Sequence, residues 1–324
     1  MPTAMLVENL VSPITIAFLM GIIASLIRSD LEIPEPVIRI ISIFLLFSIG
    51  LQGGQELAQV TFAEVAAGLG VVAALIVALP LVAFLAARHL LRLPVPDATG
   101  VAALYGSVSS VTFLVARTHA DTMGTPMDGF VIGLVALLEL AILVALLLGR
   151  LAMSRQSAAQ LPIGQLMLET LRGRGLLLLG GGLIMGASIG ETNFARISPF
   201  FVDMFRGVLV LFLLEMGMAA ARQLRAFSAV AGRMLVFGIA APILFGFAAT
   251  GLSTAAGLSL GSAAVIGTVA ASASYIDAPA AVRATFPEAN PSIWLTSSLG
   301  ITFPFMMLAG VPMVYGFARF WAGL

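Results

Sequence analysis

The sequence predicts an all-α integral membrane protein of ten transmembrane helices in two inverted five-helix repeats, the fourth helix of each repeat being broken. Three observations carry this. The chain is 60% hydrophobic and 10% charged over 324 residues, with a mean hydropathy of +1.09, which excludes an ordinary soluble globule. Apolar runs near the about 20 residues needed to cross a bilayer recur along it. Finally, the second half of the chain matches the first in order, and each half contains an odd number of spans.

Apolar runs occupy 13–27, 37–51, 62–87, 130–148, 176–189, 200–218, 230–252 and 293–320, and two weaker ones, 98–116 and 259–281, complete the ten. No basic segment followed by a small-residue cleavage site opens the chain, so the first run reads as a retained helix. Cysteine is absent, which excludes disulfides, thiolate metal sites and cysteine nucleophiles. Net charge is zero, so nothing points to nucleic acid, and all sixteen basic residues are arginine. Numbering the loops alternately places Arg28, Arg39, Arg88, Arg92, Arg150, Arg155, Arg172, Arg174, Arg222, Arg225, Arg233 and Arg283 on one side. Only Arg117, Arg196, Arg206 and Arg319 fall on the other. The richer side reads as cytoplasmic, which sets both termini on the non-cytoplasmic side of a cell (plasma or inner) membrane. The organisation expected is a first repeat at 12–149, a cytoplasmic linker at 150–174 and a second repeat at 175–320.

The internal matches run in order. "FLMGIIASLI" (18–27) meets "LIMGASIGET" (183–192), and "LLFSIGLQGGQEL" (45–57) meets "FLLEMGMAAARQL" (212–224). "YGSV" (105–108) meets "IGTV" (266–269), "SSVTFLVA" (109–116) meets "ASASYIDA" (271–278), and Pro126 meets Pro291. Because five spans is an odd number, the second repeat enters the membrane opposite to the first. Inverted repeats of this kind underlie alternating access in many secondary transporters.

Each fourth span carries a knot of glycine and hydroxyls, "GSVSSVTF" from Gly106 and "GTVAASASY" from Gly267. Glycine and serine lower helix propensity, and broken backbone inside a membrane persists only where protein or a water-lined cavity satisfies it. Two such breaks crossing near the midplane would present half-helix N-termini to an anion and carbonyls with hydroxyls to a small cation. Hard oxygen ligands suit sodium over a soft metal. The alternative is that these small residues merely allow close helix packing, which is the preferred reading for Gly182, Gly186 and Gly190.

At these residues the chain resembles the sodium-dependent bicarbonate transporters of the cyanobacterial SbtA type. The resemblance is sharpest in "FLLFSIGLQGGQEL" (44–57), "YGSVSSVTFLVA" (105–116) and "SASYIDAPAAVRATFPEANPSIWLTSSLGITFPF" (272–305). It implies a gate domain and a core domain working as an elevator, with sodium-coupled bicarbonate symport, bicarbonate held at the two crossing loops, and a homotrimer. Substrate contacts then fall to Gly106, Ser107, Ser109, Ser110, Phe113, Ser272, Ala273 and Tyr275, and sodium contacts to Thr112, Ser274, Ser110 and Asp277. No other metal or cofactor is implied. Some members are inhibited by a small PII-like regulatory protein at a longer insertion between the halves. Here the linker is short and basic, which sets that partner in doubt, and Asp277 stands where a small neutral residue is expected.

Other polar residues are read individually. Glu139 and Glu215 lie within apolar runs and should face protein or water, as a cation site or as a hydrogen-bonded carboxyl locking helices together. Gln52, Gln55 and Glu56 are expected at an aqueous vestibule, Arg283, Glu288 and Asn290 in a solvated loop with an ion pair, and Trp294, Trp321 and Tyr315 at the membrane interface. His89, at a helix end, and His119, in a loop, lack the spacing of metal ligands. The zinc-protease motif H-E-x-x-H is absent and no base stands beside a nucleophile, so an enzyme is not expected. A transporter of another small anion or organic acid, or a sodium/proton exchanger, stays open on the residues alone.

Overall fold

The computed structural model describes residues 12–57, 62–154, 174–225, 232–275 and 277–324. These are helical throughout, with no strand among them. In a bilayer a helix satisfies its backbone within its own segment, and here seven helical stretches are long and apolar enough to cross, beside the shorter apolar helices Pro13–Leu26 and Leu260–Ala270. The expected linker falls mostly on 155–173, outside the described residues.

In the first half, α1 is Pro13–Leu26, α2 Glu35–Leu57 and α3 Phe62–His89. There follow α4 Val95–Gly106, α5 Ser110–Thr122, α6 Val131–Leu138 and α7 Ala141–Ser154. In the second half, α8 is Arg174–Ser188, α9 Gly190–Ser198, α10 Phe205–Arg225 and α11 Gly232–Ala255. Then come α12 Leu260–Ala270, α13 Asp277–Thr285, α14 Pro291–Leu295, α15 Phe303–Phe305 and α16 Val311–Trp321. Wide π turns at Pro199–Asp203, Thr296–Thr302 and Met306–Gly310 link the neighbouring segments.

Packing pairs the halves reciprocally. α1 lies along α10, and α2 along α8. Glycine sets the approach, because without a side chain two backbones come into contact and dispersion replaces the missing hydrophobic drive. A Cβ on Gly21 would strike the Leu214 carbonyl, and one on Gly217 the Phe18 carbonyl. Gly54 meets Leu183 and Gly186 meets Leu51 in the same reciprocal way. Gly182 also abuts α2, at Phe47 and Gly50, so the packing reading holds for Gly182 and Gly186. Gly190 differs: it sits at φ +68° with nothing near its Cβ position, as the first residue of α9, where a left-handed conformation favours glycine.

The remaining helices form a second group. α3 packs on α4 and α7, and α11 on α12 and α16. Both long helices carry an internal proline, Pro80 and Pro242, a match at nearly the internal offset. α6 and the Thr296–Thr302 turn meet the first group, α6 against α8 and the turn against α10. Large apolar side chains such as Met20, Ile23, Ile40, Val236 and Leu244 point outward, as a lipid-facing surface requires.

Two expected interface anchors are core residues. Trp294 is fully buried, its ring filling the space beside Gly100, and Tyr315 is buried with its hydroxyl 2.9 Å from that of Thr125. Trp321 is exposed, and its Nε1–H donates to the Phe247 carbonyl at 3.1 Å.

Candidate functional site

Both fourth spans are broken. α4 ends at Gly106 and α5 starts at Ser110, so the first break is Ser107–Val108–Ser109. α12 ends at Ala270 and α13 starts at Asp277, and Ala271 to Tyr275 form the described part of the second break. The breaks are narrower than the knots, since Ser110 to Thr112 and Gly267 to Ala270 are already helical. α5 packs on α12 and α13 packs on α4, so each half-helix contacts the other repeat's partner.

Hydrogen bonds tie the two breaks together. The Ser274 N–H donates to the Leu104 carbonyl at 2.8 Å, and the Ser109 N–H donates to the Ser272 hydroxyl oxygen at 3.0 Å. Ser272 passes its own hydrogen to the Val269 carbonyl at 2.6 Å. Ser107 donates to the Ala103 carbonyl at 2.7 Å. Such pairing is what buried broken backbone needs, each orphan costing about 1–3 kcal/mol.

Ser109 is the N-cap of α5: its hydroxyl oxygen accepts from the Thr112 N–H at 3.2 Å and the Thr112 hydroxyl at 3.0 Å. The Phe113 N–H goes to the Ser109 carbonyl at 2.9 Å. The N–H groups of Ser110 and Val111 then have no acceptor among the described residues. They stand at the positive end of the α5 dipole. From Gly106 to Phe113 only Ser110 keeps partial exposure. Across from it Tyr275 is half-buried, its hydroxyl reaching Ser109 and the Met216 sulfur.

The structure therefore gathers Ser107, Ser109, Ser110, Thr112, Ser272, Ala273, Ser274 and Tyr275 at one crossing. Gly106 packs its Cα on Pro80, which leaves no room for a Cβ. Phe113 is wholly buried in the core behind the break. Ser274 accepts a long hydrogen bond, 3.5 Å, from the Ala278 N–H. Asp277 opens α13, and its side chain lies outside the described residues.

A family profile described as the Na+-dependent bicarbonate transporter superfamily matches residues 13–319. The chain belongs to that superfamily. No curated protein matches the chain. Membership carries sodium dependence and bicarbonate transport as the superfamily's character, and it runs through both breaks.

Several residues differ from their sequence reading. Gln52 and Gln55 do not face an open vestibule: both are half-buried, Gln55 donating to the Gly186 carbonyl and Gln52 to the Phe201 carbonyl. The side chain of Glu56 is outside the described residues. Glu215 is held by Arg222 at 2.6 Å within its own helix, so it does not join two helices. Glu139 is buried, 3% exposed, at the step between α6 and α7. His119 belongs to the last turn of α5, edge-on to Tyr315. No ion pair joins Arg283 and Glu288. Asn290 instead donates its N–H to Asp97 at 2.6 Å and caps α14 through Ser292.

Two constellations escaped the sequence reading. Asp97 on α4 grips the loop at Asn290. Asp128 accepts from the Ser259 and Ser262 hydroxyls at 2.6 Å each and donates its N–H to Ser262 at 2.9 Å. Asp97 lies near the start of α4 and Ser262 near the start of α12, so the two clamps secure the beginnings of both broken helices. The signal was the N-cap pattern S-x-x-S at Ser259, read as apolar span. The second constellation is the Tyr105 hydroxyl, 2.5 Å from Ser297 and 2.7 Å from Thr302.

Proposed function

We propose that the chain is a sodium-dependent bicarbonate symporter working by alternating access, with the anion bound at the N-terminus of α5 and sodium beside it. The observation carrying this reading is the pair of unclaimed N–H groups at Ser110 and Val111, next to the half-exposed Ser110 hydroxyl at the end of the first break, in a chain of this superfamily. Two parallel N–H donors and the Ser110 hydroxyl suit two oxygens of a planar carboxylate-like anion. Ser272, Ala273 and Tyr275 close the site from the opposite break, with Gly106, Ser107 and Ser109 shaping its floor and Phe113 behind it.

Sodium is assigned to Ser110, Thr112, Ser274 and Asp277 with neighbouring carbonyls. Thr112 commits its hydrogen to Ser109, so its lone pairs are what a cation would meet, and uncharged or carboxylate oxygens suit a hard ion. A cation next to the bound anion lowers the cost of burying either charge, which is the physical basis of coupling.

The ten-span inverted repeat is proposed on the reciprocal contacts of α1 with α10 and α2 with α8, the paired prolines and the crossed half-helices. In this scheme α1, α2, α8 and α10 form the gate and the other helices the moving core, as elevator transport requires. Repeats at 12–149 and 175–320, a plasma or inner membrane setting, both termini on the non-cytoplasmic side and a trimer belong to the same proposal.

The test is uptake of labelled bicarbonate into proteoliposomes under an inward sodium gradient, with potassium as control. Sodium-driven uptake that Ser110→Ala with Ser274→Ala abolishes supports the site. Uptake unaffected by replacing sodium with potassium sinks the symport reading.

A further inference from the structure

Among the described residues, side-chain hydrogen bonds of Tyr275 and of Arg117 cross from the group of α1, α2, α8 and α10 to the rest of the chain. Tyr275 reaches the Met216 sulfur at 3.7 Å, a weak contact. The other is charge-assisted: Arg117 on α5 donates from Nη2 to Gln52 Oε1 on α2 at 2.9 Å. Gln52 uses its other end as well, Nε2 donating to the Phe201 carbonyl in the π turn before α10 at 3.3 Å. An amide committed at both ends has a fixed orientation, so it presents its oxygen to the guanidinium without further ordering.

Among the described residues the contact has no equivalent at the other end of the molecule. The internal match of 45–57 with 212–224 sets Ala219 opposite Gln52, and alanine has no side-chain acceptor. The arginine of the other second half-helix, Arg283 on α13, is exposed. Arg117 and Arg283 occupy the eighth position of α5 and the seventh of α13, so the geometry that brings one into contact leaves the other outside.

We propose that Arg117 and Gln52 form an interlock between the moving core and the gate, with Gln52 acting as the positioning residue. It holds α5, the helix whose N-terminus carries the candidate anion site, against α2 and the Phe201 turn at one end only. The state seen here is closed at that end, and the core must release Arg117 from Gln52 before the site opens there. On the arginine asymmetry of the loops this is the non-cytoplasmic end. The inference rests on the alternating-access reading above.

The absence of native cysteine allows a direct test. Ile132 on α6 is wholly buried, with its Cδ1 where a side chain on Gly53 of α2 would start. It marks the core-to-gate contact one residue from Gln52. The labelling rate of Ile132→Cys by a water-soluble maleimide is measured in purified protein without sodium or bicarbonate, with Gln52 intact, as Gln52→Met and with Arg117→Lys. Methionine keeps the length and packing of glutamine but offers no strong acceptor. Labelling about tenfold faster in Gln52→Met is expected, the population change of one charge-assisted hydrogen bond. Arg117→Lys should fall between, since lysine keeps the charge without the planar fork.

Ala249→Cys, buried on α11, is the control. Equal Ile132→Cys rates in the Gln52 and Met backgrounds overturn the proposal, and so does a rise at Ala249→Cys of the same size, which reports general loosening. Uptake separates this from the transport reading. Sodium-driven uptake with equal labelling rates sinks the interlock alone, whereas failed uptake with unequal rates sinks the symport and leaves a gate that opens.

Discussion

Replacing Ser272 by alanine tests whether the two breaks depend on each other. Ser272 is 1% exposed and its hydroxyl serves both sides of the crossing, accepting from the Ser109 N–H at 3.0 Å and donating to the Val269 carbonyl at 2.6 Å. In Ser272→Ala the Val269 carbonyl still accepts from the Ser272 backbone N–H at 3.0 Å. The Ser109 N–H, buried in the other repeat, has nothing in its place. The expected loss is about 1–3 kcal/mol, the cost of one buried unpaired donor. Ser107→Ala is the matched comparison. Its hydroxyl is as buried, 2% exposed, but donates only to Ala103 four residues earlier in its own segment, a local bond whose removal costs about 0.5 kcal/mol or less. Unfolding followed through the fluorescence of buried Trp294 reads both, and sodium-driven uptake shows whether the site moves with the fold. The reasoning fails if the two variants lose equal stability, or if Ser272→Ala is as stable as the parent.

Further outcomes follow from the same geometry. Gly217→Val forces a side chain into the Phe18 carbonyl; it should abolish the monodisperse peak in size-exclusion chromatography, while Gly207→Ala, with open space around it, should leave it unchanged. Tyr105→Phe removes two buried hydroxyl contacts to the Thr296–Thr302 turn and should cost about 1–3 kcal/mol in chemical unfolding. Asp128→Ala strips the acceptor from Ser259 and Ser262; faster hydrogen exchange at the start of α12 is expected, with α8 unaffected. Ser110→Ala should raise the half-saturating bicarbonate concentration about tenfold, the loss of one hydrogen bond to a charged ligand, without changing the unfolding midpoint.

Much of the architecture could be read in one dimension because the bilayer leaves few options. A run such as 62–87 must be helical, and glycine with serine at 106–110 permits a helix to give way there. The breaks, the packing role of Gly182 and Gly186 and the superfamily followed from such local features. Polar residues near span ends were harder. Gln52, Gln55 and Asn290 looked solvated because each ends or precedes an apolar run, yet their partners, Phe201, Gly186 and Asp97, lie 149, 131 and 193 residues away. Trp294 looked like an interface anchor for the same reason, and no local pattern announces that Gly100 on another helix provides its slot.

Hydropathy, the glycine and hydroxyl knots and the internal match are properties of the chain itself, so the sequence alone determined that this is a many-span membrane protein and marked two places where a helix could be interrupted. Tertiary structure decided which groups meet across the breaks. It set Ser109 on Ser272, Leu104 on Ser274 and Arg117 on Gln52, and it left the N–H groups of Ser110 and Val111 without an acceptor among the described residues. The reason is range: a helix or a break depends on neighbours within about a turn, whereas a hydrogen bond between repeats depends on where packing brings two distant segments to within about 3 Å.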